Sequence, residues 1–412
     1  MDAKRPVIAL EFVREMNKVL VLNLIRQERT ISRTDIARRI HLSRSTVSAI
    51  VNDLLAEGWL VESGTGKSRG GRRPILLSFN YRAGHILGLD AGATHLLAVV
   101  TDLDAQVVAE VERPFDVSAG PEVGLEAIVD VAREALAEAH LELSQLIGVG
   151  VGLPGPLDYA HGTIVAPPIM PGWDDFPVRD RLVATLDVPV FVDNDANLGA
   201  LGEFSYGAGQ DVDNLAFIKV ATGIGCGIMI GGQIYHGQTG AAGEIGHVTM
   251  AGDGPPCTCG SYGCLEAMAG GPAIAQRAAQ AIQVGQSTML RSMVSNGNLT
   301  AKLVEKAARQ GDPLACQLYA DAGRLIGLAV ANVINLLNPG RVIIGGGVSE
   351  AGELILASLR ETACQRSMRA AAGATDIVQA TLGHRSSALG AIALVLQETF
   401  RSPAVDLVGW QA

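Results

Sequence analysis

The chain has 412 residues, 48% of them hydrophobic and 18% charged, with 49 glycines, six cysteines and a formal net charge of −10. This composition excludes an intrinsically disordered chain and describes glycine-punctuated α/β structure, long enough for roughly two to four domains. The cysteines show no paired pattern, which excludes a disulfide scaffold, and no signal-like or bilayer-long apolar stretch stands out, so a soluble, cytoplasmic protein is expected.

The charge is unevenly spread. Residues 1–82 carry 15 Lys and Arg against 8 Asp and Glu, and the other 330 carry 17 against 34. A basic head on an acidic body points to a polyanion as the partner of the head.

The head reads as a winged helix-turn-helix over 1–82. The apolar spacing of Met16, Val19, Leu20, Leu22 and Ile25 predicts a helix. Ser32, with Asp35 three residues on, predicts the N-cap of a second helix. The turn His41-Leu42 leads to a third helix, with Ile36, Ile40, Val47, Ile50 and Leu54 facing inward. This third helix opens with Ser43, Arg44, Ser45, Thr46 and Ser48, which offer hydroxyls and a guanidinium to phosphates and base edges. Strand-like runs at Trp59–Glu62 and Pro74–Phe79 flank a glycine-rich wing tip carrying Lys67, Arg69, Arg72 and Arg73. Arginines so placed suit a narrow A·T-rich minor groove. A single head of this size binds weakly, so a dimer or higher oligomer on a two-fold related site of double-stranded DNA, an A·T-rich inverted repeat, is expected.

In the body, two segments read as strand, small-residue turn, strand: 86–102, containing Asp90, Gly92 and Thr94, and 215–232, containing Thr222, Gly223 and Gly225. A third glycine run, Gly345-Gly346-Gly347, follows a strand and precedes a helix expected near Glu350. Such turns let backbone N–H groups approach phosphate oxygens, and their order suggests two similar lobes closing on a nucleotide and a second ligand. Between the first two lies Val190-Phe-Val-Asp193-Asn194-Asp195-Ala-Asn197, a buried strand ending in acids and amides. Strand carboxyl ends are where α/β folds hold ligands. The structural alternative is a helix N-cap at Asp193 or Asp195.

His247, Cys257, Cys259 and Cys264 fall within eighteen residues, bracketed by Glu244 and Glu266. One His and three Cys form a full ligand set for structural zinc, leaving no open position for a water nucleophile; a disulfide or unrelated thiols are the alternatives. Helices at 323–337 and 386–400 are apolar, the first reading as core and the second as packing back on the first lobe.

The Gly-Gly-Arg-Arg-Pro wing, the Asp-Asn-Asp-Ala-Asn segment, the Glu-x-Gly-His block with Cys-x-Cys-Gly-x-x-Gly-Cys-Leu-Glu, and the Gly-Gly-Gly-Val-Ser turn together resemble the ROK family (repressors, open reading frames, kinases), and within it the NagC-, Mlc- and xylose-repressor-like branch. The resemblance implies an α/β body of two actin/hexokinase-like (ribonuclease H-like) lobes, at 83–200 and 201–383, with a helix at 384–400 returning to the first. It implies zinc on His247, Cys257, Cys259 and Cys264, and sugar on Asn194, Asp195, Glu244, His247 and Glu266. His247 then serves both, one nitrogen on the metal and the other toward the sugar. In the family's kinases Asp195 matches the catalytic base and Asp90, Gly92, Thr94, Thr222, Gly223, Gly225 and Gly346 the Mg-ATP contacts. Departures from the kinase pattern are Ala93, His95, Pro168 and Ala221. The expected function is a sugar-responsive transcriptional regulator, most simply a repressor of carbohydrate genes; the alternative is an ATP-dependent sugar kinase bearing a DNA head.

Overall fold

The computed structural model of the chain describes residues 5–66, 73–294 and 299–401. The helices Arg5–Glu28, Arg33–Arg39 and Arg44–Ala56 and the strands Ile31–Ser32, Leu60–Thr65 and Ile75–Phe79 build the head. Both expected caps form. Ser32 Oγ accepts from Asp35 N at 3.2 Å, and Ser43 Oγ from Thr46 N at 3.1 Å. Ile36, Val47, Ile50 and Leu54 are buried, and Ile40 packs partly buried against them. The first helix begins well before the apolar repeat that predicted it. Ion pairs at Arg14, just before the repeat, to Asp53 at 2.7 Å and at Lys18, within it, to Glu57 at 2.6 Å tie this helix to the end of the third. The wing strands pair antiparallel, Leu60 opposite Phe79, with a register shift between Glu62 and Gly64.

The body repeats one design twice. Its first sheet runs Val190–Asn194, Leu146–Leu153, His85–Ala91, His95–Asp102, Val107–Pro114, the last three antiparallel and the first two parallel to His85–Ala91. The second sheet has an antiparallel meander of Leu215–Val220, Ile224–Ile230 and Gln233–Ile234, extended by Arg341–Gly345 and Asp376–Gln379 in parallel. The two strand–turn–strand segments of the sequence are thus the matching hairpins of two lobes. Helices Pro121–Glu138 and Val178–Leu186 share a core with the first sheet. The core of the second contains Pro313–Leu337, the one helix among the described residues long and apolar enough to cross a bilayer, with Tyr319, Ile326, Val330 and Ile334 buried in it.

Helix Asp195–Tyr206 spans residue 200, so the lobe boundary expected there falls inside a helix that packs on the second sheet as well as the first. Against it lies the C-terminal helix Ser386–Thr399, also seated on strands of the first sheet. The fit depends on absent side chains. A Cβ on Gly390 would meet Leu198 O at 1.7 Å, and one on Gly202 would meet Ser386 O at 2.1 Å. The far end of this helix enters the core of the head, where Leu396 and Phe400 join Val21, Ile25 and Phe79. Phe400 meets Trp59 and Phe79 edge-on at 5.7 Å, and the Arg26 guanidinium lies 4.3 Å from its ring.

Candidate functional site

A cleft of about 690 Å³ lies between the lobes. Strands end on it from both sheets: His85–Ala91 delivers Asp90, Val190–Asn194 delivers Asn194 with Asp195 following, and Arg341–Gly345 delivers Gly346. Gly346 needs its freedom, with φ at 83° and a hypothetical Cβ 2.5 Å from Val220 O. The helix expected near Glu350 starts instead at Glu353, because residues Gly347–Ala351 form a 3₁₀ turn first.

Asn194, rather than Asp193 or Asp195, caps the helix Asp195–Tyr206. Its Oδ1 accepts from Ala196 N at 2.8 Å and Asn197 N at 3.2 Å, while its Nδ2 donates to Gly155 O at 2.9 Å. Asp193 is buried behind it, accepting from Asn197 Nδ2 at 2.9 Å and lying 2.8 Å from His236 Nε2. Asp195 is therefore free of capping duty and faces the cleft.

Its partner is Lys219, a residue the sequence did not single out. Lys219 Nζ stands 2.9 Å from Asp195 Oδ2 and 3.5 Å from each Asp90 oxygen. Burial alone would drive the ammonium to lose its proton, but the Asp195 and Asp90 carboxylates hold it protonated above the usual lysine range. Burial likewise pushes Asp90 up, yet Lys219 and His95 outweigh it and keep that carboxylate below its ordinary range. Asp195 stays above its ordinary range because burial, aided by the nearby Asp90 charge, exceeds the pull of Lys219. A lone lysine in the apolar strand Leu-Ala-Phe-Ile-Lys-Val was the available signal.

Across the cleft, Glu266 sits on the short helix Leu265–Ala269, directly after Cys264, and its Oε2 accepts from Ile224 N at 3.0 Å. Glu244 precedes the turn Ile245–His247, and its carboxylate lies 3.8 Å from His247 Nε2; burial raises its pKa. The other imidazole nitrogen, Nδ1, is 3.6 Å from Cys257 Sγ, and Cys259 Sγ is 3.7 Å from Cys264 Sγ. Tetrahedral ligands at about 2.3 Å from one ion are separated by roughly 3.7 Å. His247, Cys257, Cys259 and Cys264 can hold a metal ion, their donor atoms all within 4.8 Å of one another. All twelve residues expected to contact sugar or nucleotide line the cleft: Asp90, Gly92, Thr94, Asn194, Asp195, Thr222, Gly223, Gly225, Glu244, His247, Glu266 and Gly346.

On the head, Arg44, Ser45 and Thr46 are exposed at the start of the third helix and Ser48 is half-buried. Ser43 is exposed too, but its hydroxyl is engaged in the cap and lies 2.8 Å from both Ser45 Oγ and Thr46 Oγ1. Arg73 is exposed; Lys67, Arg69 and Arg72 lie outside the described residues.

Comparison with known proteins matches both parts. The ROK family model covers residues 86–398, and a winged helix-turn-helix DNA-binding model covers residues 17–61. A xylose repressor of Caldicellulosiruptor bescii is 33% identical over 391 residues, covering 95% of this chain and 98% of that protein. The crystal structure of a ROK family transcriptional regulator, a homologue of the Escherichia coli Mlc protein, superposes with a TM-score of 0.80 at 27% identity, over 96% of this chain and 99% of that one. A Streptomyces griseus ROK glucokinase, solved with glucose and AMPPNP, matches with a TM-score of 0.68 at 32% identity, over 76% of this chain and 99% of its own. The chain belongs to the ROK family, with a winged helix-turn-helix joined to its two-lobed body.

Proposed function

We propose that the chain is a sugar-responsive transcriptional regulator, a repressor of carbohydrate uptake or catabolism genes in the cytoplasm. One observation carries this reading: a DNA-binding head is built into the same core as a cleft of the sugar-kinase type, through a helix that reaches both. The similarity to a xylose repressor over nearly the whole length of both chains supports it.

In this account Asp195, Glu244, His247 and Glu266 take sugar hydroxyls, and Asn194 adds its remaining amide hydrogen. The metal is one structural zinc per chain, bound by His247, Cys257, Cys259 and Cys264. It fixes Cys264 at the start of the helix bearing Glu266 and orients His247 beside Glu244, so it shapes the sugar floor without touching the chemistry. Arg44, Ser45, Thr46 and Ser48 meet base edges and phosphates, Ser43 keeps their helix turn in place, and Lys67, Arg69, Arg72 and Arg73 enter the adjacent minor groove. Two heads of a homodimer or tetramer would read an A·T-rich inverted repeat.

Phosphoryl transfer is the weaker reading, although the cleft retains the glycine turns. Mg-ATP fits these residues poorly, because the Asp90 and Asp195 carboxylates, the acids of the cleft that would serve the metal and the base, are already paired with a buried ammonium. That ammonium also occupies Oδ2, one of the two Asp195 oxygens that could take the proton of a sugar hydroxyl. Binding to an A·T-rich inverted repeat, measured by fluorescence anisotropy across a salt series, tests the regulator reading. It requires sequence preference and a steep loss of affinity with salt; equal affinity for scrambled DNA would reject it.

A further inference from the structure

Lys219 belongs to the second-lobe strand Leu215–Val220 and is only 9% exposed, yet all its acceptors lie on other elements. Its ammonium reaches Asp195 on the helix Asp195–Tyr206, Asp90 on a first-lobe strand and, at 3.3 Å, Ser387 Oγ on the first turn of the C-terminal helix. Ser387 in turn donates to Asp195 O at 2.8 Å. One cation therefore ties the second lobe, the first lobe and the C-terminal helix together at the acid that faces the cleft.

From Ser387 to Phe400 the chain rises about 20 Å at helical pitch. This stretch is buried from Ser386 through Leu396 and held in register by its contacts at Gly202 and Leu198, so it is stiff along its length. Its far end is fastened to the head. Asn23 Nδ2 donates to Phe400 O at 2.9 Å, and the Phe400 ring packs on Trp59 and Phe79 beneath Arg26.

We propose that Lys219 is the positioning residue that links sugar occupancy at Asp195 to the placement of the DNA head, acting through Ser387 and the C-terminal helix. The proposal rests on the sugar-responsive reading above. A sugar hydroxyl donating to Asp195 Oδ2 competes with the ammonium for that oxygen. Lys219 then leans toward Asp90, its bond to Ser387 lengthens, and the hold of the cleft on the first turn of the C-terminal helix slackens. A ligand shifts such an equilibrium only by its different affinity for the two arrangements, and the competition for Asp195 supplies that difference.

The test uses the full-length protein labelled with 5-fluorotryptophan, with the Trp59 resonance assigned by its loss in Trp59→Phe. Titration calorimetry with D-xylose, D-glucose and N-acetylglucosamine comes first; if none binds, the sugar reading itself fails, and the coupling with it. A sugar that binds should shift the Trp59 fluorine resonance and change operator affinity by about tenfold at saturation. Asn23→Ala, at the head end, should bind that sugar with unchanged affinity while the operator response falls below about threefold. Ser387→Ala, at the cleft end, should do the same to the response at saturating sugar and remove the Trp59 shift, with a wild-type melting curve confirming its fold. If both variants bind the sugar and keep the full Trp59 shift and operator response, the coupling proposal is overturned.

Discussion

Replacing Lys219 by Met is the most demanding perturbation of the cleft. It removes the ammonium of a side chain that is 11% exposed from between side chains of Asp90 and Asp195 that are 3% and 15% exposed, leaving two buried carboxylates without it. Breaking a buried ion pair by removing one partner costs about 3–5 kcal/mol, because the remaining charge is uncompensated. For a chain of this size that is a fall in melting temperature of about 4–6 °C. The pH dependence fixes the cause. The Lys219 pKa is raised in the folded state, so its contribution is complete below the unfolded value of 10.5 and is lost only as pH rises through the higher folded value. The Asp90 pKa is lowered, so its contribution is present above the unfolded value of 3.8 and is lost as pH falls through the lower folded value. In the variant both acids lose Lys219, Asp90 keeping only His95, and both fold more readily protonated. The deficit relative to wild type should therefore be greatest near neutral pH and shrink as pH falls toward about 5. Differential scanning calorimetry over that range measures it. A fall of less than about 2 °C at neutral pH, or a deficit independent of pH, would refute the ion-pair account.

Other parts of the site give their own expectations. Wild-type protein should carry about one zinc per chain by elemental analysis; Cys257→Ser/Cys259→Ser should carry none, and should lose sugar binding while sugar-free operator binding persists. Arg44→Ala should weaken operator binding by about 1–3 kcal/mol and relax sequence preference; loss of affinity equal on all DNA would make Arg44 a phosphate contact only. ADP release over a panel of aldohexoses and N-acetylhexosamines should not exceed that of Asp195→Ala, and sugar-dependent turnover that vanishes with Asp195 would restore the kinase reading.

The features legible in the sequence were those whose partners are close along the chain. The helix-turn-helix was readable because Ser32 and Ser43 each cap the helix that follows by accepting from a backbone N–H three residues on. The metal clip was readable because four soft donors crowd into eighteen residues, and the cleft acids because they end apolar strands. Lys219 was not, since its partners lie 129, 24 and 168 residues away and only folding brings them together. The cap at Asn194 was misassigned to its acidic neighbours because three adjacent side chains of similar capping strength cannot be ranked without backbone geometry. The apolar face of the C-terminal helix was evident, but no local pattern could reveal that Phe400 at its end is core to the head.

The most direct test of the account is operator affinity measured with and without sugar on the same full-length, zinc-loaded protein. The account predicts that at least one of D-xylose, D-glucose and N-acetylglucosamine changes operator affinity by about tenfold, and that Cys257→Ser/Cys259→Ser abolishes the change. A sugar that binds in the cleft and leaves operator affinity unaltered would contradict it.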